Sequence, residues 1–287
     1  MAKSLRPETP HGRLDDSDLV RISELVTRET GIRLLPAKRL MIEGRLRRRQ
    51  NALGMRSLAD YARHLFGPDR DAGEIAHLID AFTTNKTDFF REPQHFTLME
   101  NTLMPELLDR RGDRMPLIKV WSAACSTGAE PYTIAMVLAS IAARQGNFRF
   151  GILGTDISTQ VLETARRAIY PLDQLDPVPP ALRDRYIMRP RDPRRQREAR
   201  IVPELRRLTR FDRLNLMDRS YPYDRDVDMI FLRNVLIYFA PEDQAAVVAR
   251  LAGHLRRGGY LFLGHSESMV EMASGMAQVA PATFRKI

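Results

Sequence analysis

The chain has 287 residues, 44% of them hydrophobic, and a formal charge of +9, which suits one large or two modest domains with an ordinary core and an acidic partner of some kind. Its longest apolar run, 134–143, is too short to cross a bilayer, and the opening M-A-K-S-L-R-P-E-T-P lacks the apolar stretch of a signal peptide, so neither membrane insertion nor export is expected. One cysteine, Cys125, excludes an internal disulfide or a multi-cysteine zinc site, and six histidines scattered without ligand spacing predict no metal; a cytoplasmic location fits.

Residues 1–12, with Pro7 and Pro10, read as a disordered tail. From 13 to 84 every signal is helical. Ser17 is positioned to cap a helix with Leu19, Ile22, Leu25 and Val26 on one face, ended by Gly31. Pro36 opens a second helix running to Gly54, Ser57 caps a third closed by Gly67-Pro68, and a fourth carries Ile75, Leu78, Ile79 and Phe82. From 85 to 287 strands alternate with helices, the signature of an α/β, mostly parallel sheet covered on both faces. Strands are expected at 117–123, 148–155, 228–232, 260–264 and 283–287, and helices at 131–144, 158–169 and 241–255. A proline- and arginine-rich interruption, with extended pieces at 185–188, 199–202 and 209–214, predicts a small inserted β-subdomain over about 180–213.

In such sheets ligands sit beyond the carboxyl ends of the strands. After the first strand, A-C-S-T-G-A-E forms a small-residue loop entering a helix, an arrangement that suits a nucleoside-like ligand and equally suits plain α/β packing. It lacks the Lys-Ser/Thr of a P-loop and the G-x-G-x-x-G spacing, and Glu130 would repel a pyrophosphate, so a phosphate-free ligand is expected. Asp156 follows the second strand, where ribose hydroxyls are held in nucleoside-binding sheets, although a lone Asp opening a helix also serves as a cap. Arg233 and Asn234 interrupt the apolar F-L-R-N-V-L-I-Y-F, where burial is costly without partners. At the domain junction, T-T-N-K-T-D-F-F-R-E offers Asn85, Thr87 and Arg91: an amide, a hydroxyl and a guanidinium able to orient a carboxylate in a bidentate grip.

The positive charge is concentrated. Residues 183–213 hold twelve arginines against five acids, and a second cluster contains Lys38, Arg39, Arg45, Arg47, Arg48 and Arg49 against Glu43. In an α-helix Lys38, Arg45 and Arg49 share an arc of roughly 40°. Either cluster reads as a solvated face or as a docking surface.

The runs T-T-N-K-T-D-F-F-R-E-P-Q-H-F, W-S-A-A-C-S-T-G-A-E-P-Y, F-L-R-N-V-L-I-Y-F and G-G-Y-L-F-L-G-H-S-E-S, with the N-terminal T-G-I-R-L-L-P-A-K-R-L-M-I-E-G-R-L-R-R-R, resemble the chemotaxis receptor methyltransferases, the CheR family. The resemblance covers nearly the whole chain from residue 14. It implies a class I, Rossmann-like fold dependent on S-adenosyl-L-methionine, with an N-terminal helical domain and a small inserted β-subdomain. It also implies cofactor contacts at Asn85, Thr87, Arg91, Glu130, Asp156, Asn215, Leu216, Arg233 and Asn234, and places Tyr238 close to the reaction centre. Asn215 and Leu216 enter by the resemblance alone. Ala129 departs from the family pattern, where many relatives carry an acid, leaving Glu130 as the only carboxylate of that loop.

The implied reaction methylates receptor glutamates, giving glutamyl methyl esters and S-adenosyl-L-homocysteine. It needs no strong base, because a carboxylate is already ionised at neutral pH. Arg91 is the residue expected to orient the acceptor. Lys38, Arg45 and Arg49 become a docking face for the acidic cytoplasmic helices of the receptor, and the β-subdomain a candidate holder of a receptor C-terminal peptide. A monomer is expected. The competing readings are a nucleic-acid methyltransferase, which the charge suits but a 7% aromatic content does not, and a non-catalytic signalling adaptor.

Overall fold

A computed structural model describes residues 13–68, 70–71, 73–112, 114–192, 196–267 and 272–287; the N-terminal segment expected to be disordered lies outside them. The chain divides into two compact units at the Thr84–Asn85 bond.

The N-terminal unit is built from α1 (Asp16–Thr30), α2 (Arg39–Ala52), α3 (Leu58–Phe66) and α4 (Glu74–Phe82). The cap of α1 is Asp15, whose side chain accepts the Asp18 amide at 2.7 Å, in place of the expected Ser17; Gly31 ends the helix in a left-handed turn at φ 74°. Ser57 caps α3 by accepting the Asp60 amide at 3.1 Å. Leu19, Ile22, Val26, Ile42, Leu46, Tyr61, Leu65, Leu78 and Phe82 fill the core.

The basic side chains of α2 are drawn into this packing. Arg45 donates to the carbonyls of Ala81, Phe82 and Thr83 at 3.2, 2.7 and 3.3 Å, satisfying the open C-terminal end of α4. Arg49 grips Glu74, with Nη2 at 2.6 Å from Oε2, and Tyr61 donates to the same carboxylate at 2.8 Å. Lys38 lies in the 3-10 turn Pro36–Lys38 ahead of α2, off the α-helical register that put the three cations on one arc. Burial pushes the Glu74 carboxyl up, but the bonds from Arg49 and Tyr61 outweigh it and hold the group below the usual glutamate range. The stabilisation is therefore complete at neutral pH and drains as pH falls through that lowered value. Replacing Arg49 with alanine strands a fully buried carboxylate and is expected to cost about 3–5 kcal/mol, read as a fall in the urea midpoint of the N-terminal transition.

The second unit opens with α5 (Gln94–Leu98), which continues through a π-helical turn, Met99–Leu103, into α6 (Met104–Arg111). The described residues then form ten strands: β1 (Leu117–Ala123), β2 (Arg149–Asp156), β3 (Ile169–Pro171), β4 (Ile187–Met188), β5 (Glu198–Ile201), β6 (Thr209–Arg213), β7 (Val227–Leu232), β8 (Leu255–Leu263), β9 (Met276–Ala280) and β10 (Thr283–Lys286). Seven make one sheet in the order β6-β2-β1-β7-β8-β10-β9. From β6 to β8 neighbours run parallel; β10 and β9 are added antiparallel. The helices of the alternating region are α7 (Ala129–Gln145), α8 (Thr159–Arg167), α9 (Pro180–Tyr186), α10 (Pro203–Arg207) and α11 (Pro241–His254). Strand order reverses at β1, which pairs with β2 on one side and β7 on the other, and this reversal opens the crevice in which such sheets bind ligands.

The inserted subdomain is a three-stranded antiparallel sheet, β3-β5-β4. The segment at 209–214, expected within it, instead supplies β6, the edge strand of the main sheet, in parallel register from Ile152↔Thr209 to Asp156↔Arg213. The alternation T-R-F-D-R suits either sheet. The partner decides: Phe211 lies so close over Gly154 that a Cβ there would meet its ring at 2.7 Å, so only a glycine in β2 admits this neighbour. In the expected strand at 185–188 only two residues are extended, the rest belonging to α9, while β3, three residues long, is too short to announce itself and β9 has no counterpart among the expected strands.

Candidate active site

The loop leaving β1 is wound tightly. Ala124, Ser126 and Gly128 all take left-handed backbone, at φ 59°, 50° and 88°. At Gly128 a Cβ would come within 2.8 Å of the Cβ of Ala165 on α8, so close helix approach as well as φ demands glycine. The Ser126 amide donates to Asp156 Oδ2 at 2.8 Å, and the Ser158 amide donates to Oδ1 at 3.0 Å. Asp156, 8% exposed, thus joins the loops after β1 and β2. The Ser126 hydroxyl donates to the Asn85 carbonyl at 2.8 Å, fastening the 85–92 segment to the same loop.

A buried guanidinium closes the other side. Arg233, at the end of β7, has a side chain only 2% exposed. Its Nη1 donates to Glu130 Oε2 at 2.9 Å, and Nη2 donates to the Arg91 carbonyl and to Glu92 Oε2 at 3.1 Å. Glu130, in the first turn of α7, also accepts the Ser122 hydroxyl of β1 at 2.7 Å. Burial pushes the Glu92 carboxyl up, but Arg233 outweighs it and leaves the group below the usual range. Asn234 donates to Glu92 Oε1 at 3.3 Å and is itself left-handed, as are Phe90 and Glu92. Five strained non-glycine residues therefore gather at the strand ends and in the 85–92 segment, where function commonly keeps such conformations.

Glu267 completes the arrangement, and sequence reasoning gave it no role although it lies in the quoted G-H-S-E. Its carboxylate accepts the amides of Asn234 and Gly264 at 2.8 Å and of Leu236 at 2.7 Å, pinning the loop after β7 to the end of β8. Burial at 2% exposure pushes its pKa up against these bonds. Gly264 offers no room: a Cβ would sit 2.7 Å from both Asn234 Nδ2 and Glu267 Oε2. Gly264→Ala is accordingly expected to cost about 1–3 kcal/mol of stability and to weaken cofactor binding, checked by thermal unfolding and calorimetric titration.

The remaining expected residues lie in the 85–92 segment or follow strand ends. Arg91 is half-buried, its Nη1 donating to the Lys86 carbonyl at 3.4 Å; Thr87 is also half-buried. Asn215 follows β6 and accepts the Met217 amide at 3.0 Å, and the carbonyl of buried Leu216 accepts Tyr221 Oη at 2.7 Å. Tyr238 stands half-buried in the 3-10 turn Leu236–Tyr238. Hydrogen bonds through Ser126, Asn85, Arg233 and Glu92 tie Asp156, Arg91 and Asn234 into one site. Lys38, Arg45 and Arg49 belong to the other unit.

These residues suit a cationic nucleoside without phosphates: three carboxylates, Asp156, Glu130 and Glu92, sit with tightly turned backbone, and the loop after β1 has no lysine or arginine for a phosphate. With a sheet of this order, they define a class I methyltransferase dependent on S-adenosylmethionine. Residues 85–284 match the CheR methyltransferase, SAM binding domain, and residues 17–83 match the CheR methyltransferase, all-alpha domain. The chain belongs to the CheR methyltransferase family, and its cofactor is S-adenosylmethionine. It is 35% identical to the chemotaxis protein methyltransferase of Borreliella burgdorferi, over 94% of each chain. Identity is 37% to chemotaxis protein methyltransferase 2 of Pseudomonas aeruginosa, over 93% of this chain and 92% of that one, and 38% to the Escherichia coli protein of the first name, over 89% and 85%. Among the described residues no helix is long and apolar enough to cross a membrane.

Proposed function

We propose that the protein methylates glutamate side chains in the cytoplasmic helical region of chemoreceptors, releasing S-adenosylhomocysteine and leaving glutamyl methyl esters. The relatives' names point to chemotaxis. The observation that supports the chemistry is the site itself, in which Arg91 stands beside carboxylates fastened by Arg233, its own side chain held among the described residues by a 3.4 Å bond to the Lys86 carbonyl. S-adenosylmethionine, when bound, supplies an electrophilic methyl group on a sulfonium. Asn85, Thr87, Glu130, Asp156, Asn215, Leu216 and Asn234 hold it, and the carboxylates favour its positive charge. Arg233 acts at one remove: its buried guanidinium is spent on Glu130, Glu92 and the Arg91 carbonyl, so it sets their positions. Arg91 draws in and aligns the acceptor carboxylate, and Tyr238 borders the same space. Alignment and removal of water then carry the acceleration.

Arg91→Ala is expected to keep cofactor affinity within about threefold while turnover falls by about 100-fold or more. The assay is labelled methyl transfer to receptor-bearing membranes, with methanol released in mild alkali. Unchanged turnover would end the role for Arg91, and alkali-stable label would favour the nucleic-acid reading over an ester.

Docking on the acidic receptor helices falls to the cations of α2 and of the turn before it that stand in solvent. Lys38 is exposed, as is Arg48, whereas Arg45 and Arg49 reach a partner only by releasing Ala81–Thr83 and Glu74. Lys38→Glu is expected to raise KM for receptor several-fold with kcat unchanged, an effect that fades at high salt. The β-subdomain, with β3 and β4 at its edges, is the part suited to hold a receptor C-terminal peptide by strand addition. The enzyme works as a cytoplasmic monomer at the receptor arrays.

A further inference from the structure

Two of the six histidines, far apart in sequence, meet in space. His95 on α5 and His265, just beyond β8, stack with ring centroids 5.0 Å apart and planes 2° from parallel, and both face Glu92. The Nδ1 of His265 lies 3.0 Å from Glu92 Oε2 and that of His95 lies 3.5 Å from the same oxygen; one donor atom from each residue falls within 4.8 Å of the others.

His95 is the unusual member. Its side chain is 2% exposed, yet among the described residues neither ring nitrogen meets a hydrogen-bond partner at full bonding geometry, although the Pro281 backbone lies near enough to interact with the ring. A buried imidazole with a poorly satisfied nitrogen carries a desolvation cost that an ion bound at that nitrogen would reduce. The chemistry of the trio selects the ligand. Two imidazoles and one carboxylate form a three-ligand set that leaves a coordination position open, and tetrahedral geometry with bonds of about 2.0–2.1 Å separates donor atoms by roughly 3.3 Å. The separations of 3.0 and 3.5 Å bracket that value. His265, with a side chain 47% exposed, has the freedom to turn its ring towards an ion seated between His95 and Glu92.

We propose that Glu92, His95 and His265 form a binding site for Zn2+ or a similar borderline divalent ion, and that occupancy draws Glu92 Oε2 away from Arg233. The second half follows from shared atoms. Oε2 is the oxygen that accepts Arg233 Nη2 at 3.1 Å, and two cations repel across it. Loss of that bond loosens the clamp that also holds the Arg91 carbonyl and Glu130, so the ion is an inhibitor of cofactor binding and not a participant in methyl transfer.

The test uses full-length protein stripped with chelator and titrated with Co2+ alone, read by visible ligand-field absorption, followed by displacement with Zn2+. One equivalent of Co2+ giving the bands of a low-coordinate site, bleached by Zn2+, is expected. His265→Gln, an exposed position whose folding is checked by circular dichroism, should weaken Co2+ by at least about tenfold. No ligand-field band, or equal affinity in the variant, overturns the site. In a second arm, calorimetry of S-adenosylhomocysteine should show affinity falling at least threefold with Zn2+ present for the wild type and unchanged for His265→Gln; equal loss in both overturns the link to Arg233. Neither arm measures methyl transfer, so the outcome stands apart from the proposed reaction.

Discussion

A buried guanidinium holds the second unit's crevice in shape. Arg233 emerges from the end of β7 into a space where water cannot solvate it, and the charge is tolerable only because two carboxylates and a backbone carbonyl meet it. Those three acceptors come from α7 and from the 85–92 segment, parts of the chain that no sheet hydrogen bond joins. Their convergence on one side chain makes the loop after β1, the segment preceding α5 and the loop after β7 into a single object. Truncating the side chain would leave Glu130 and Glu92 facing each other with much of their compensation gone.

Around that ion pair the backbone is held in conformations it would not choose alone. Phe90, Glu92, Ala124, Ser126 and Asn234 are all left-handed without being glycine, and in three of them the amide is held by a side-chain acceptor: Ser126 by Asp156, Asn234 by Glu267, Phe90 by the Thr133 hydroxyl. Two of these acceptors, Asp156 and Glu267, are buried acids. Glu267 exemplifies the pattern, since its three amide bonds do for the β7 and β8 ends what Asp156 does for β1 and β2. A binding rim assembled this way is preorganised, its donors already oriented before a ligand arrives.

The N-terminal unit shows how a charge cluster changes meaning once its partners are known. In sequence Arg45 and Arg49 look like a face presented to an acidic partner. In the fold Arg45 terminates a neighbouring helix and Arg49 neutralises a buried glutamate, so electrostatic complementarity is used inward. The contacts span 25 residues or more along the chain, beyond the reach of any helical periodicity.

What the sequence determined by itself is what local physics writes locally. Apolar runs, caps and glycines located β1, β7, α7 and α11 to within a few residues, and polar residues just after strands singled out Glu130, Asp156, Arg233 and Asn234 as candidates for a ligand site, because ligands bind beyond the carboxyl ends of the strands in open parallel sheets. Tertiary structure alone decided which sheet receives β6, since T-R-F-D-R fits both and the choice turns on a glycine in a distant strand. It also decided that Arg233 serves as a bracket, that Glu267 matters, and that His95 and His265 meet at Glu92. Each of these depends on atoms brought within hydrogen-bond distance by long-range folding, and a linear pattern carries no measure of that distance.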